Sequence, residues 1–274
     1  MIRFLEALYH AVNRARRALY RRGVLKAKRL EKPVISIGNI AAGGAGKTPC
    51  VIAVAKFLTA RSLRVCVLTR GYGRRGAGGE VNTFDAERFG DEPVLIKKRV
   101  PEAIVVAGKN RYGNGLHVNC DVYLLDDGFQ HLQLHRDLDV VIDVSDARFH
   151  REGRGALRDA DVVIPRCIQP ENLAALHGKS VFAFAGLANN EQFFDMLRAN
   201  GVDLVGTRGF PDHHVYTPGE TAVIRQLARG AEVVVTTEKD AVKLGGRDMI
   251  AVAIEFVVEP AVLERIAAVA HGSP

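Results

Sequence analysis

Tryptophan is absent from this chain of 274 residues, aromatic side chains make up only 7%, and no stretch approaches eighteen consecutive apolar residues. The last absence argues against a membrane-spanning helix. Charges interrupt the N-terminal apolar positions, which argues against a secretory signal peptide. Cysteine is sparse and scattered. Cys50, Cys66, Cys120 and Cys167 form no C-x-x-C pair, so neither a zinc site nor a disulfide framework is indicated, and a reducing, cytosolic setting fits. No internal repeat of fixed period is present. What the chain does have is 47% hydrophobic residues, enough for a sizeable core, and a length that suits one large domain or two ordinary ones.

Charge is unevenly placed. The net charge is +7, but residues 1–32 hold ten Lys or Arg against Glu6 and Glu31, and the remaining 242 residues are nearly neutral. A broad nucleic-acid-binding surface is therefore not expected, and few aromatics interleave with the arm's arginines. The arm has helical periodicity: Ile2, Leu5, Leu8, Tyr9, Val12, Ala15 and Leu19 fall on one stripe, with most arginines on other faces. Two readings stand side by side. One is a helix in an anionic membrane interface, with Lys and Arg at lipid phosphates. The other is a basic helix packed on its own domain.

The chemistry begins after a strand-like run, Pro33–Gly38. It empties into a glycine-rich loop, Asn39–Gly46, closed by Lys47, Thr48 and Pro49, and an apolar helical pattern follows. A strand–loop–helix junction aims successive backbone N–H groups and a helix N-terminus at one point, where a phosphate chain can sit. Gly43, Gly44, Ala45, Gly46, Lys47, Thr48 and Pro49 are the expected cradle. Lys47 would reach the β- and γ-phosphates and Thr48 would ligate Mg²⁺. The strict pattern wants glycine where Ala41 stands.

Apolar runs at 34–37, 64–69, 103–106, 121–125, 139–144 and 161–165 read as buried parallel strands, with helices at 48–60 and 110–117 among them. A second series follows, with strands at 181–185, 202–206, 232–236 and 249–256 and helices at 190–199, 217–229 and 260–270. The expected architecture is α/β. A P-loop NTPase-like three-layer α/β/α domain (residues 31–168) carries an N-terminal amphipathic helix (1–30) and a second, smaller α/β domain (169–274).

Ligands gather at the carboxyl ends of such strands. Tyr123–Leu125 ends in Asp126 and Asp127, the form expected of the acidic partner of a phosphate loop, which holds Mg²⁺. Gln130 and His131 put polar groups beside the phosphates. Arg70, Tyr72 and Arg74 follow another strand and suit a phosphorylated ligand. Asp91 and Glu92 are adjacent carboxylates before Pro93, and Asp212, His213 and His214 form a second polar cluster. A His–Asp pair for proton transfer is chemically possible, though spacing alone cannot bring Asp91 to His213.

In order, these segments resemble the tetraacyldisaccharide 4′-kinase family of the lipid A pathway, from the N-terminal helix to about Leu244. Asp126–His131 and Thr237–Leu244 are the most specific, and the family commonly lacks glycine at the position of Ala41. The resemblance implies a peripheral enzyme of the cytoplasmic face of the bacterial inner membrane. Such an enzyme moves the γ-phosphate of ATP to the 4′-hydroxyl of a tetraacylated disaccharide 1-phosphate in a cleft between two domains. It implies Asp91 as general base, His213 as its dyad partner, Asp126 and Asp127 with Glu92 at the metal, and Arg111 at the phosphates. Arg151 and Glu152 correspond to an Arg-Glu pair of the family. The expected partners are the acylated disaccharide and an anionic membrane, with no nucleic acid. A different class remains open, a P-loop GTPase or ATPase that switches or matures a protein partner, although no Asn-Lys-x-Asp guanine motif is present.

Overall fold

The computed structural model describes residues 2–41, 44–144, 150–244 and 248–272, and for the first helix the side chains from residue 10 onward. The chain opens with helix α1 (Ile2–Arg21) and enters strand β1 (Val34–Asn39), which is buried along its whole length. Helix α2 (Lys47–Thr59) and strand β2 (Val65–Thr69) follow. Next come the short strand β3 (Gly79–Glu80), helices α3 (Ala86–Phe89) and α4 (Asp91–Arg99), and strand β4 (Ile104–Ala107). Helix α5 (Arg111–Gly115) and strands β5 (Val122–Asp126), β6 (Leu138–Asp143) and β7 (Val162–Pro165) complete the first unit.

These strands form one sheet in the order β3-β4-β2-β5-β1-β6-β7, parallel except where β3 meets β4. Strands β2 and β5 are buried throughout, which explains their unbroken apolar runs: crossover helices cover both faces of a parallel sheet. From β1 the chain moves to one side, through β2 and β4, whereas β6 and β7 add on the other. The carboxyl end of β1 is therefore a switch point, where open α/β sheets leave a crevice for ligands.

The second unit has strands β8 (Ile168–Pro170), β9 (Ser180–Ala185), β10 (Asp203–Gly209), β11 (Val233–Thr237), β12 (Ile250–Val252) and β13 (Ile254–Phe256). Between them lie helices α6 (Asn190–Ala199), α7 (Pro218–Leu227) and α8 (Glu238–Leu244), and α9 (Pro260–Ala270) closes the chain. A parallel sheet β10-β9-β11-β12 buries Val181, Phe193, Leu197 and Val235 in its own core.

Residues 249–256, read from sequence as one strand, are two. Ala253 breaks the run because its carbonyl accepts from Glu171 N and its N–H donates to Asn172 Oδ1, both in the connecting segment. Past that break the chain leaves the smaller unit. Strand β13 pairs with β8, and Phe256, Val258, Ile266 and Ala270 join the core built on α2 and β1. Residues 254–270 thus pack with the first sheet although they follow the expected boundary.

Helix α1 docks by its polar face. His10 Nε2 lies 2.9 Å from the His150 carbonyl, and Asn13 donates to the Arg151 carbonyl at 3.1 Å. Arg17, buried, donates to both carboxylate oxygens of buried Glu152 at 2.5 and 2.8 Å and lies over the Phe129 ring. At 100° per residue these three positions lie about 160° from Val12, Ala15 and Leu19. Accordingly Val12 is 50% exposed, Leu19 38%, and Ala15 is exposed as well. The helix packs on its own domain and still turns an apolar stripe outward.

Candidate active site

Two polar clusters face each other at the carboxyl ends of β1, β2 and β5. The first is the glycine-rich loop expected to cradle phosphate. Gly46 caps α2 with φ 78° and lies against Phe256, so a side chain there would meet both backbone strain and the aromatic ring. Pro49 falls in the first turn of α2, where a missing N–H is harmless. Lys47 Nζ donates to Asn39 Oδ1 at 3.2 Å and lies 3.4 Å from Asp127 Oδ1. Asn39 closes β1, so the strand end itself orients the lysine. Gly43 lies outside the described residues.

Strand β5 delivers Asp126 and Asp127 beside this loop, and the two differ sharply. Asp126 is buried and accepts from Thr69 Oγ1 at 2.9 Å. Burial, then the charges of Glu92 and Asp127, push its carboxyl up to about 7. Burial acts on Asp127 too, but Lys47 and Arg151 outweigh it and hold the carboxyl down at about 2. Arg151 Nη1 donates to both Asp127 oxygens, at 2.8 and 3.0 Å. Asp127 adopts φ 52°, a left-handed conformation that Asp tolerates better than most residues.

Glu92, half-buried, is raised by burial and by Asp91, against the pull of Lys239 and Lys47. No group of three or more His, Cys, Asp or Glu side chains among the described residues forms a metal site by itself. The donors nonetheless suit Mg²⁺, which takes one or two carboxylates plus phosphate and water oxygens. Burial and the charges of Glu92 and Asp127 raise the Asp126 carboxyl although Lys47 pulls the other way, so a bound cation would relieve the crowding of carboxylates there.

The second cluster centres on Asp91, the first residue of α4 and buried. Gly90 before it has φ 97°, and a Cβ there would meet the Tyr72 carbonyl at 2.9 Å, so the helix start is pressed against the loop after β2. His213 Nδ1 lies 3.1 and 3.0 Å from Asp91 Oδ1 and Oδ2, and its ring packs on Tyr72 with centroids 4.7 Å apart. Burial opposes ionisation of Asp91, but His213, Lys239 and Lys243 together hold its carboxyl below the ordinary value. His213 has φ 56°, an uncommon conformation for histidine and one that clusters at functional sites. The contact that spacing left open is therefore made, across 122 residues of sequence. Glu92 joins the clusters: it neighbours Asp91 and feels Lys47, while Asp126 feels Glu92.

The other expected residues divide. Arg70, Tyr72 and Arg74 line one cavity of about 360 Å³ together with Lys109. Arg111 is buried, its Nε without a hydrogen-bond partner among the described residues, and burial lowers its pKa against the pull of Asp126 and Asp127. Burial and then Arg111 depress His131 to about 4, which keeps it neutral at neutral pH. Gln130 donates to the Asn39 carbonyl at 2.8 Å and to Glu152 at 3.0 Å, and Glu152 is held by Arg17. Gln130 and Glu152 thus tie the end of β1 to α1.

Sequence reasoning assigned no role to Asn39, Thr69, Arg17, Lys109, Lys239 or Lys243. The two last could have been paired from their i, i+4 spacing, which puts them on one helix face. Lys239 Nζ donates to Asp212 Oδ1 at 3.1 Å and lies 3.1 Å from His213 Nε2, and Lys243 Nζ lies 3.8 Å from Asp91.

A family model described as tetraacyldisaccharide-1-P 4′-kinase matches residues 1–160 and 150–271. The tetraacyldisaccharide 4′-kinase of Geobacter sulfurreducens is 38% identical, with 87% of this chain and 82% of that protein covered. Its counterpart from Geobacter metallireducens is 39% identical, covering 89% and 88%. Among solved structures, the "apo" form of LpxK from Aquifex aeolicus in complex with ATP superposes with a TM-score of 0.78 at 31% identity, over 97% of each chain.

Proposed function

This chain belongs to the tetraacyldisaccharide 4′-kinase family, and from that membership we propose that it moves the γ-phosphate of ATP to the 4′-hydroxyl of a tetraacyldisaccharide 1-phosphate. The observation that carries the residue-level reading is the hydrogen-bonded Asp91–His213 pair, set beside a lysine-bearing phosphate loop through Glu92.

In this reading Lys47, braced by Asn39 and Asp127, meets the β- and γ-phosphates, and Arg111 adds a second buried cation. Thr48, Asp126, Asp127 and Glu92 would hold Mg²⁺, which when bound neutralises charge on the transferring phosphoryl group. Asp91 stands on the acceptor side. It accepts the hydroxyl proton as the acceptor oxygen bonds to the γ-phosphorus and the bridging P–O bond to ADP breaks. A depressed carboxylate suffices for this because a loose transition state lets the proton move late. Arg70, Tyr72 and Arg74 offer the acceptor a basic wall, and Arg151 steadies Asp127.

The test is transfer of labelled γ-phosphate from ATP to tetraacyldisaccharide 1-phosphate, with GTP and non-acylated sugar alongside. Lys47→Ala and Asp91→Ala should each lose about 10²-fold or more in kcat while keeping the fold. Near-parent activity of Asp91→Ala would remove it as base. Strong GTP preference without lipid phosphorylation would point to a switch protein instead.

No helix among the described residues is long and apolar enough to cross a membrane. The reading places the enzyme peripherally on the cytoplasmic face of the inner membrane, with the exposed stripe Val12, Ala15 and Leu19 in the interface and neighbouring arginines at lipid phosphates.

A further inference from the structure

Lys239 has no part in the chemistry described so far, yet its ammonium is the group that meets the far nitrogen of His213. His213 Nδ1 faces both oxygens of Asp91 at 3.0–3.1 Å, and Nε2 faces Lys239 Nζ at 3.1 Å. An ammonium has only donors, so a bond to it requires a lone pair on Nε2 and the ring proton on Nδ1. An N–H on Nε2 would point at the ammonium 3.1 Å away, with Asp212 Oδ2 farther off at 3.8 Å, so the contact itself calls for the bare nitrogen.

We propose that Lys239 is a positioning residue that fixes His213 as the neutral Nδ1–H tautomer, so that the imidazole donates to Asp91 and the proton taken from the acceptor stays on Asp91. This rests on the kinase reading above for what Asp91 does, but the tautomer itself does not.

The surroundings keep Lys239 charged. Its Nζ donates to Asp212 Oδ1 at 3.1 Å and lies 3.9 Å from Glu92 and 4.0 Å from Asp91. Burial works against the ammonium, and these three carboxylates outweigh it. The groups around the pair are Asp91 and Glu92 of α4, Asp212 of the loop after β10, Asp240 and Lys243 of α8, and the Tyr72 ring. Lys243 lies 2.8 Å from Asp240 and 3.8 Å from Asp91, so a second ammonium supports the ionised base. With Nε2 occupied by a cationic donor, His213 has no free site through which to relay a proton to solvent. It orients Asp91 without withdrawing the proton from it.

The experiment is two-bond ¹⁵N correlation spectroscopy on the full chain with labelled histidine, His213 being assigned through His213→Gln. At about pH 7.5 the parent should show a protonated Nδ1 and a bare Nε2 on His213. Lys239→Met should release His213 from the Nδ1–H tautomer, so that an Nε2–H signal appears, and lower kcat about 10- to 100-fold with KM for ATP within about twofold. An Nε2–H or imidazolium His213 in the parent would overturn the proposal. So would a folded Lys239→Met variant whose His213 keeps the Nδ1–H tautomer unchanged, the mark of a merely structural role. If Lys239→Met does not fold, the parent spectrum decides alone. Because the tautomer is read without substrate, a failed kinase assay would undo the functional reading and leave this one standing.

Discussion

Asp126 and Asp127 are neighbours in sequence and opposites in environment. Burial with Glu92 and Asp127 nearby raises Asp126 to about 7, above its ordinary value of 3.8, while Lys47 and Arg151 overcome burial to hold Asp127 at about 2. The signs follow by linkage. Asp126 binds its proton more tightly in the folded state, so without Mg²⁺ it costs stability as pH rises from about 4 to about 7. Asp126→Asn should therefore raise Tm by about 3–6 °C at pH 8 in EDTA and flatten the pH dependence between those values, read by scanning fluorimetry. Asp127 contributes stability above the unfolded value and loses it as pH falls from about 4 to about 2. Asp127→Asn should lower Tm at neutral pH, since Lys47 and Arg151 lose their shared carboxylate. An unchanged Tm in both variants would show that these environments are more solvated than the geometry implies.

At the scale of an element, α1 has two jobs on opposite faces. Its inner face is held by a buried ion pair, Arg17 with Glu152, which Gln130 ties to the end of β1. Arg17→Met leaves a buried carboxylate without its guanidinium and should cost about 3–5 kcal/mol in urea unfolding. A loss under about 1 kcal/mol would place the pair among solvated surface bridges. The outer face is the apolar stripe. Deleting the helix would remove both functions together, so the discriminating variant is Val12→Asp with Leu19→Asp. It should abolish sedimentation with vesicles of anionic phospholipid and leave Tm within about 2 °C, since both residues are exposed. Unchanged vesicle binding would sink the interfacial role.

At the scale of the molecule, the site exists only because two units meet. Asp91, Glu92 and Arg99 belong to α4, whereas His213, Glu238 and Lys239 belong to the smaller unit. Arg99 binds Glu238 at 3.1 Å and Glu171 at 2.9 Å, and is only 15% exposed. Arg99→Met should favour an open cleft, lowering kcat/KM about 5- to 30-fold at low salt, with ATP affinity nearly unchanged. Steady-state kinetics with both substrates varied would check it, and a loss confined to ATP affinity would contradict it. The return of β13 and α9 to the first unit ties the far end of the chain to the phosphate loop, through Phe256 against Gly46.

Local patterns carried much of this in advance. The phosphate loop, the buried parallel strands and the Asp126–Asp127 pair are legible because they depend on residues close in sequence. The strand, the loop glycines, Lys47 and the helix start lie within one supersecondary unit. Helix α7 begins where Thr217 and Glu220 form a capping box, again a local signal. The break at Ala253 was not legible, because Glu171 and Asn172, about eighty positions earlier, take its backbone bonds. Nor was the outward turn of Val12 and Leu19. Periodicity defines an apolar stripe but not the side on which Glu152 and the carbonyls of His150 and Arg151 wait. By itself the sequence determined the fold class, the glycine-rich loop with its lysine, and the likeness to a lipid kinase. The tertiary structure alone decided that Asp91 meets His213, that Lys239 closes the chain of hydrogen bonds behind it, and that α1 docks by its polar face. Those contacts join residues from 26 to more than a hundred positions apart, or sides of a helix that spacing treats alike, so only the tertiary packing selects them.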